Sequence, residues 1–170
     1  MLKKINTSFL VAIFCLSTFF NASAADLILS HIDPAWKDGK GDVPSIGICL
    51  YRDDGGKGMS PPIKVTGIPN GTVKLELHFT DEDWKSEGAH GVIGYKITAG
   101  STSVVIPSFK GETDELPPNF ENISAHEGSM DGVYLPPGSG GKEHDYTVYV
   151  YAKNADDEKL ANGKLPLGKY

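Results

Sequence analysis

The sequence predicts a mainly β protein, an antiparallel β-sandwich with a few short peripheral helices. Three observations support this fold class. The chain contains 20 Gly and 11 Pro residues, spread along the sequence from Pro34 onward, which suits many turns. Long helical periodicity is missing, and short apolar runs with a period of two alternate with turn residues. Such spacing is typical of sandwiches.

The clearest predicted strand covers residues 73–79. Its Val, Leu and Phe residues fall on one face, while Lys74, Glu76 and His78 fall on the other. Asn70-Gly71 just before it is a turn signal. A second strand is predicted over residues 146–152. This strand is apolar or aromatic on both faces, which is typical of a central strand between two layers.

The other elements are predicted from shorter patterns. Strands are expected at residues 26–30, 46–51, 90–97 and 103–106. A short helix is expected after Asn154, because Asn favours the N-cap position and acidic residues at 156–158 suit a first helical turn. Gly163 would end this helix.

The N-terminal 24 residues predict a cleaved signal peptide. Lys3-Lys4 precedes an apolar run over residues 9–20, and Ala22-Ser23-Ala24 is an A-x-A cleavage site. The run is short for a membrane span, so no transmembrane segment is expected after cleavage. Residues 25–170 would then form a single domain, periplasmic or secreted.

The composition excludes some partners and leaves one cysteine in the mature chain. Two of the 16 basic residues and none of the 22 acidic residues lie in the leader, so the mature chain is more acidic than the whole chain at −6. Nucleic acid is therefore not expected as a partner. Cys49 alone survives cleavage, which excludes an intrachain disulfide, and its apolar neighbours indicate a buried thiol.

Polar side chains occur where predicted strands meet loops, which is where binding sites usually lie. Asp81 follows the strand at 73–79, and His90 begins the next strand, which would place it beside Asp81 if the two strands are neighbours. Pro136-Pro137 and a Gly-rich spacer precede His144 and Tyr146. These last two are two residues apart and would share one face of a strand. Imidazole and phenol groups can donate hydrogen bonds to phosphate or carboxylate oxygens.

The order and spacing of these motifs resemble the phosphatidylethanolamine-binding protein family, also called Raf-kinase-inhibitor-like, in its bacterial secreted branch. The resemblance covers roughly residues 60–160. It implies a small anion-binding pocket, and the matching positions are Asp81, His90, Pro136, Pro137, His144 and Tyr146. Two departures concern the pocket. Trp84-Lys85 stands where family members usually have Ala-Pro, and Gly91 stands where an aromatic residue commonly follows the first His.

Three functions remain open on these patterns. The first is a non-catalytic binding or regulatory protein whose ligand is phosphate or a phospho-headgroup. The second is a protein-interaction module or inhibitor that contacts a host or periplasmic partner through its loops. The third is a cryptic hydrolase, for which Ser60 is the nearest serine, although Ser-Pro more often forms a turn. No cofactor is expected, and no metal either, because Asp81-Glu82-Asp83 lacks EF-hand spacing. The oligomeric state is left open.

Overall fold

A computed structural model describes residues 25–51 and 55–170, and the predicted signal peptide lies outside them. These residues form nine strands and two short 3₁₀ helices, so the predicted mainly β fold is confirmed. The 3₁₀ helices cover Pro34–Gly39 and Ser45–Gly47. The strands are β1 (Ala25–Asp26), β2 (Ile28–His31), β3 (Ile63–Thr66), β4 (Lys74–Asp81), β5 (Val92–Lys96), β6 (Ser103–Ile106), β7 (Phe120–Ser124), β8 (Asp145–Lys153) and β9 (Lys159–Lys169). None of the helices in the described part of the chain is long and apolar enough to cross a membrane.

The strands form two sheets that enclose a hydrophobic core. The larger sheet has the order β1-β9-β8-β4-β5-β7, and the smaller one has the order β2-β3-β6. All neighbouring strands are antiparallel except β1 and β9, which pair in parallel over two residues. The largest fully buried side chains come from both sheets and from the segments between them: Trp36, Ile63, Leu75, Leu77, Phe79, Ile93, Ile106, Phe109, Tyr134 and Leu167.

Strand β4 has the two faces that its sequence predicts. Leu75, Leu77 and Phe79 are fully buried in the core. The opposite face has Glu76, which is also buried, and Lys74 Nζ lies 2.9 Å from its Oε1. A buried carboxylate needs a cationic partner, so this ion pair lets a charged residue occupy the centre of the sheet.

Strand β8 lies between β9 and β4, but only one of its faces packs into the core. Its outer tyrosines are half-buried, and their hydroxyl groups donate to acidic residues of the β4–β5 connection. The Tyr149 hydroxyl lies 2.9 Å from Glu82, and the Tyr151 hydroxyl lies 2.7 Å from Glu87. The prediction of a strand covered on both faces by layers is therefore wrong, because polar side chains cover its outer face.

The predicted strand at residues 46–51 is not a strand. Ser45–Gly47 forms a 3₁₀ turn, and the backbone that follows finds its partners in loops. The Cys49 amide donates to the Pro137 carbonyl at 3.0 Å, and the Ile48 carbonyl accepts from the Gly58 amide at 2.8 Å. The apolar run reflects burial against Trp36 and the loops, and burial alone does not require an extended, pleated backbone.

The predicted helix after Asn154 is also wrong. Asn154 Oδ1 accepts hydrogen bonds from the amides of Asp156 and Glu158, which makes an Asx-type turn between β8 and β9. Asp157 has a φ of 63°, a left-handed value that interrupts a helix. Ala161 and Leu165 then alternate into the core with a period of two, so the following residues extend as β9.

Candidate functional site

The predicted site residues meet at one end of β4. This strand lies between β8 and β5, and its last residue, Asp81, pairs with Tyr146 at the start of β8. On the other side, the His90 amide donates to the Phe79 carbonyl at 3.0 Å, which extends the ladder between β4 and β5. The ends of three neighbouring strands therefore bring these side chains together.

Asp81 is the central group of the cluster. It is 3% exposed, and each of its carboxylate oxygens accepts a hydrogen bond. Oδ1 accepts from the Asp83 amide at 2.9 Å, and Oδ2 accepts from His144 Nδ1 at 2.7 Å. One oxygen thus caps the turn after β4, while the other orients a histidine.

The partner of Asp81 differs from the one predicted. His90 was expected beside Asp81, but His90 Nε2 lies 3.9 Å from Asp81 Oδ2, beyond hydrogen-bond distance. His144 takes that place because the register of β4 and β8 puts the residues before β8 next to the carboxylate. The backbone of His144 is fixed by Tyr170, since the two residues exchange amide-to-carbonyl hydrogen bonds of 2.9 and 3.0 Å.

His90 is held by the loop that contains the proline pair. It is 4% exposed, and its Nδ1 donates to the Leu135 carbonyl at 2.7 Å. The Leu135 amide in turn donates to the His90 carbonyl at 2.9 Å. Burial lowers the pKa of His90, and the Leu135 hydrogen bond and the Asp81 charge oppose this effect. The balance favours a neutral ring.

Tyr146 completes the polar floor. Its buried hydroxyl accepts a hydrogen bond from the Gly138 amide at 3.2 Å, and its ring meets the His90 ring edge-on at 5.5 Å. Burial raises the pKa of Tyr146; the Gly138 hydrogen bond opposes this, whereas the Asp81 charge and a hydrogen bond to Asp81 add to it. Tyr146 therefore stays a neutral phenol at physiological pH.

The two prolines have different positions. Pro136 lines the pocket beside Leu135. Pro137 does not line it; instead its carbonyl accepts from the Cys49 amide at 3.0 Å. Pro137 thus supports the pocket wall through its backbone. It was predicted among the ligand-binding residues, but it does not line the cavity.

These residues line a cavity of about 500 Å³, much of whose wall was not predicted as site. Trp84 is the largest addition. Its ring meets the His90 ring edge-on at 5.4 Å, and Lys85 Nζ lies 4.6 Å from the Trp84 ring centroid. The sequence signal that could have identified Trp84 is its position directly after Asp81-Glu82-Asp83. The other added lining residues are Cys49, Tyr51, Gly128, Ser129, Met130, Gly138, Ser139 and Lys142.

Comparison with protein families agrees with this geometry. Residues 33–169 match the family model described as phosphatidylethanolamine-binding protein. The chain belongs to the phosphatidylethanolamine-binding protein family. The resemblance found from the sequence motifs is thus confirmed, and membership of the family supports a binding or regulatory role.

Two solved structures of the family share the fold. YbcL of Escherichia coli, described as a new member of the mammalian family, is 18% identical over 87% of this chain and 98% of its own, with a TM-score of 0.57. CT736 of Chlamydia trachomatis, described as a homologue of phosphatidylethanolamine-binding proteins, is 16% identical over 85% of this chain and 97% of its own, with a TM-score of 0.55. None of the curated proteins matches the chain.

In this family member, the serine and histidines outside the motif set have structural roles. Ser60 is buried outside the pocket, and its Oγ accepts from the Phe109 amide at 3.0 Å. His31 stacks on Trp36 at 5.8 Å, and His78 is half-buried on the outer face of β4. His126 is buried, and its Nδ1 accepts from the Gly128 amide at 3.1 Å.

One trio of described residues has the composition of a metal site. Ligand atoms of Asp81, Asp83 and His144 lie within 4.8 Å of one another. Each already has a protein partner, since Asp81 accepts from His144 and Asp83 Oδ2 accepts from the Asp145 amide at 2.9 Å. Hydrogen bonds account for this trio, and we assign no metal to it.

Proposed function

We propose that this protein is a non-catalytic binding or regulatory protein whose ligand is a small oxyanion, phosphate or a phospho-headgroup. One observation supports the proposal above the others. A buried carboxylate, Asp81, together with His90, His144 and Tyr146, lies at the floor of a cavity of about 500 Å³. Family membership agrees with a binding role.

The charges around the cavity suit an anion, although the whole chain is acidic. Lys142 lines the mouth, so its ammonium group can reach an anionic ligand. His144 is 19% exposed at its side chain and presents its ring to the cavity. Asp81 orients this ring, because its Oδ2 accepts from His144 Nδ1 at 2.7 Å.

Two serines line the cavity, Ser129 and Ser139, and the contacts of Ser139 favour binding over hydrolysis. Ser139 Oγ donates to the Tyr170 carbonyl and accepts from the Lys142 amide at 3.1 Å. A serine nucleophile needs a base within hydrogen-bond reach to take its proton. The Ser139 proton is directed to a carbonyl group, and Ser60 lies outside the cavity. These contacts support a structural role for both residues.

Titration of phosphate and phosphoethanolamine, followed by NMR of the histidine rings, tests the proposal. We expect saturable shifts of the His90 and His144 rings and small shifts of the His78 ring. His144→Ala should weaken binding about tenfold or more, because a charged hydrogen bond is worth about 1.5 to 3 kcal/mol. His78→Ala, on the outer face of the sheet, is the matched control and should bind as the wild type does.

The opposite result would favour a different function. If the NMR signals of the histidine rings do not shift in a folded protein, the anion-binding proposal is wrong. The protein-interaction module or inhibitor then becomes the leading function. Turnover of a phosphomonoester that is lost in His90→Ala and His144→Ala would favour the hydrolase.

We also propose export to the periplasm or beyond. The proposal depends on the N-terminal sequence alone, with its Lys pair, apolar run and Ala22-Ser23-Ala24 triplet. Expression in a Gram-negative host and mass measurement of the periplasmic product test it. A mature chain that begins at Ala25 is expected, and an intact N-terminus in the cytoplasm would contradict it.

A further inference from the structure

One buried histidine, His126, holds a segment of the pocket wall. Residues 128–132, which we call the wall loop, contribute Gly128, Ser129 and Met130 to the lining of the cavity. The Gly128 amide donates to His126 Nδ1 at 3.1 Å, and the Asp131 carbonyl accepts from His126 Nε2 at 3.4 Å. Within the part of the chain that the structure describes, the wall loop makes no other hydrogen bond. Its polar attachment therefore depends on this ring.

The two ends of the wall loop are fixed by backbone contacts. On one side, the Glu127 amide donates to the Ala89 carbonyl at 2.9 Å. On the other side, the Val133 amide donates to the Thr113 carbonyl at 3.2 Å, and the Val133 carbonyl accepts from the His126 amide at 3.3 Å. Backbone groups do not titrate, so these contacts hold the base of the loop at any pH. Loss of the ring contacts would therefore release the wall loop and leave the sheets intact.

The two contacts of the His126 ring specify one form of it. A backbone amide only donates a hydrogen bond, so Nδ1 must present a lone pair to Gly128. A carbonyl oxygen only accepts, so Nε2 has the hydrogen and donates it to Asp131. This is the neutral ring with its hydrogen on Nε2. A proton added at Nδ1 would face the amide hydrogen of Gly128, and the contact between them would be lost.

The acidic residues around His126 have other partners or point elsewhere. Within residues 25–51 and 55–170, no carboxylate forms an ion pair with the His126 ring. The Glu127 carboxylate pairs with Lys85 at 3.2 Å, and Asp131 is exposed and offers the ring only its carbonyl group. In the neighbouring segment, the Glu112 carboxylate accepts from a backbone amide at 2.8 Å. A cationic His126 would therefore lack a counter-ion while the wall loop is closed.

The nearest titratable neighbour across the pocket wall is a second histidine. His90 is near enough that a positive charge on His126 lowers the pKa of His90, so the two rings disfavour being charged together. An opened wall loop would leave the His126 ring in water, where it can take up a proton freely. The closed form thus binds fewer protons, so acid favours the open form and rising pH favours the closed form. Histidine ordinarily changes its charge between about pH 5 and 8.

From this arrangement we propose that His126 is a positioning residue of the pocket: its neutral ring holds the wall loop closed against the cavity, and protonation of the ring opens the loop. The movement of the loop is independent of any ligand, whereas its effect on affinity rests on the proposed function of the same site. A ligand in the closed pocket gains the contacts of Gly128, Ser129 and Met130. A protein that must first close its loop binds the same ligand more weakly.

Amide hydrogen exchange, measured by NMR without a ligand, tests the movement of the loop. We expect the protection factor of the Gly128 amide to fall about fivefold or more between pH 7.5 and 5.0, in step with the His126 ring signals. The Gly88 amide is the matched control, because it donates to the Thr80 hydroxyl at 3.0 Å, an acceptor that does not titrate in this range. A constant Gly128 protection factor while the ring titrates overturns the inference and leaves the proposed function standing. A His126 ring that takes up no proton above pH 5.0 overturns it as well.

Two variants separate the proton from the shape of the side chain. His126→Gln keeps an acceptor and a donor that do not titrate, so the Gly128 amide should stay protected at pH 5.0. His126→Phe keeps a ring but removes both hydrogen bonds, so the same amide should exchange quickly at pH 7.5 as well. If acid lowers the protection of Gly128 in His126→Gln as it does in the wild type, another group controls the loop and the inference is wrong. Full protection in His126→Phe would contradict it too.

The effect on ligand binding is measured at pH 7.5 alone, so that protonation of other histidines in the pocket does not enter the comparison. We expect inorganic phosphate and methyl phosphate to bind His126→Phe about fivefold more weakly than the wild type, and His126→Gln within about twofold of it. Equal affinities of the wild type and His126→Phe would contradict the positioning role. If neither anion binds the wild type, the proposed function is wrong, and amide exchange still decides whether His126 holds the loop.

Discussion

Asp81 Oδ2 accepts a hydrogen bond from His144 Nδ1 at 2.7 Å, although the two residues are 63 positions apart in the chain. The contact joins the end of β4 to the residue before β8, so it reports the register of two central strands. It also fixes which nitrogen of His144 has the hydrogen. The chemistry of the pocket thus depends on a single backbone register.

His90 should make stability fall on acidification. Its pKa is lowered in the folded protein by burial, so below the ordinary value of 6.5 the unfolded chain takes up a proton before the folded one does. The contribution of His90 is present above pH 6.5 and is lost as the pH falls through the lower folded pKa. Urea unfolding of the wild type and His90→Gln between pH 7.5 and 5.0, in phosphate-free buffer, should show a stronger loss in the wild type. Parallel profiles would contradict this assignment.

Gly91 should tolerate no side chain. Its φ is 113°, and a Cβ atom would lie 2.4 Å from the Val133 carbonyl oxygen, in the segment that leads to Leu135. We expect Gly91→Ala to lower the free energy of unfolding by about 2 to 4 kcal/mol, through backbone strain and overpacking. Gly100→Ala is the control, because φ is 80° there and nothing lies within 4 Å of the added atom. Equal losses in the two variants would show that the close approach to Val133 costs nothing.

The Tyr146 hydroxyl should stabilise the fold as well as the pocket. Tyr146→Phe removes the buried hydroxyl that accepts from the Gly138 amide at 3.2 Å. We expect a loss of about 1 to 3 kcal/mol in thermal or urea unfolding. Tyr151→Phe removes a hydroxyl that bonds Glu87 on the outer face, and it should cost about 0.5 kcal/mol or less. The assignment is wrong if the two variants lose the same stability.

Trp84 should select for ligands with a flat apolar group. A cavity of about 500 Å³ exceeds the size of phosphate, and Trp84 forms part of its wall. In Trp84→Ala, we expect phenyl phosphate to lose about twofold to tenfold in affinity, since an aromatic pair is worth about 0.5 to 1.5 kcal/mol. Methyl phosphate should change by less than twofold. Isothermal titration of both ligands measures the ratio, and equal losses would place the phenyl group away from Trp84.

Alternation made β4 predictable, because one face of this strand packs into the core and the other does not. Strand β8 was predictable from its run of aromatic and β-branched residues. Strand β6 was predicted with its observed bounds. Strands β3 and β7 were not predicted, since β3 directly follows Pro61-Pro62 and β7 is a mostly exposed edge strand. Local composition misled at 46–51, where hydrogen bonds to distant loops determine the backbone, and after Asn154, where the Asn side chain closes a turn between two strands.

The sequence predicted which residues form the site better than it predicted the contacts between their side chains. Asp81, His90, His144 and Tyr146 converge as the motif order implies. The pairing of Asp81 with His144 was not predictable, because it depends on how β4 and β8 align across 63 residues. The same is true of Lys142 and Trp84, whose place in the wall depends on the course of loops.

The backbone exchange between His144 and Tyr170 affects when the pocket can form. Tyr170, which positions His144, directly follows β9, the last strand of the sequence. Strand β9 pairs with β8 along its length and with β1 at the edge of the sheet. Ala25 of β1 pairs with Ala161 of β9, and contacts between such distant residues form late, since a long loop must close first. A chain that lacks residues 159–170 still contains every residue that lines the cavity, but it lacks the backbone partner that positions His144. The geometry of the pocket therefore depends on the last strand, although no residue of that strand lines it.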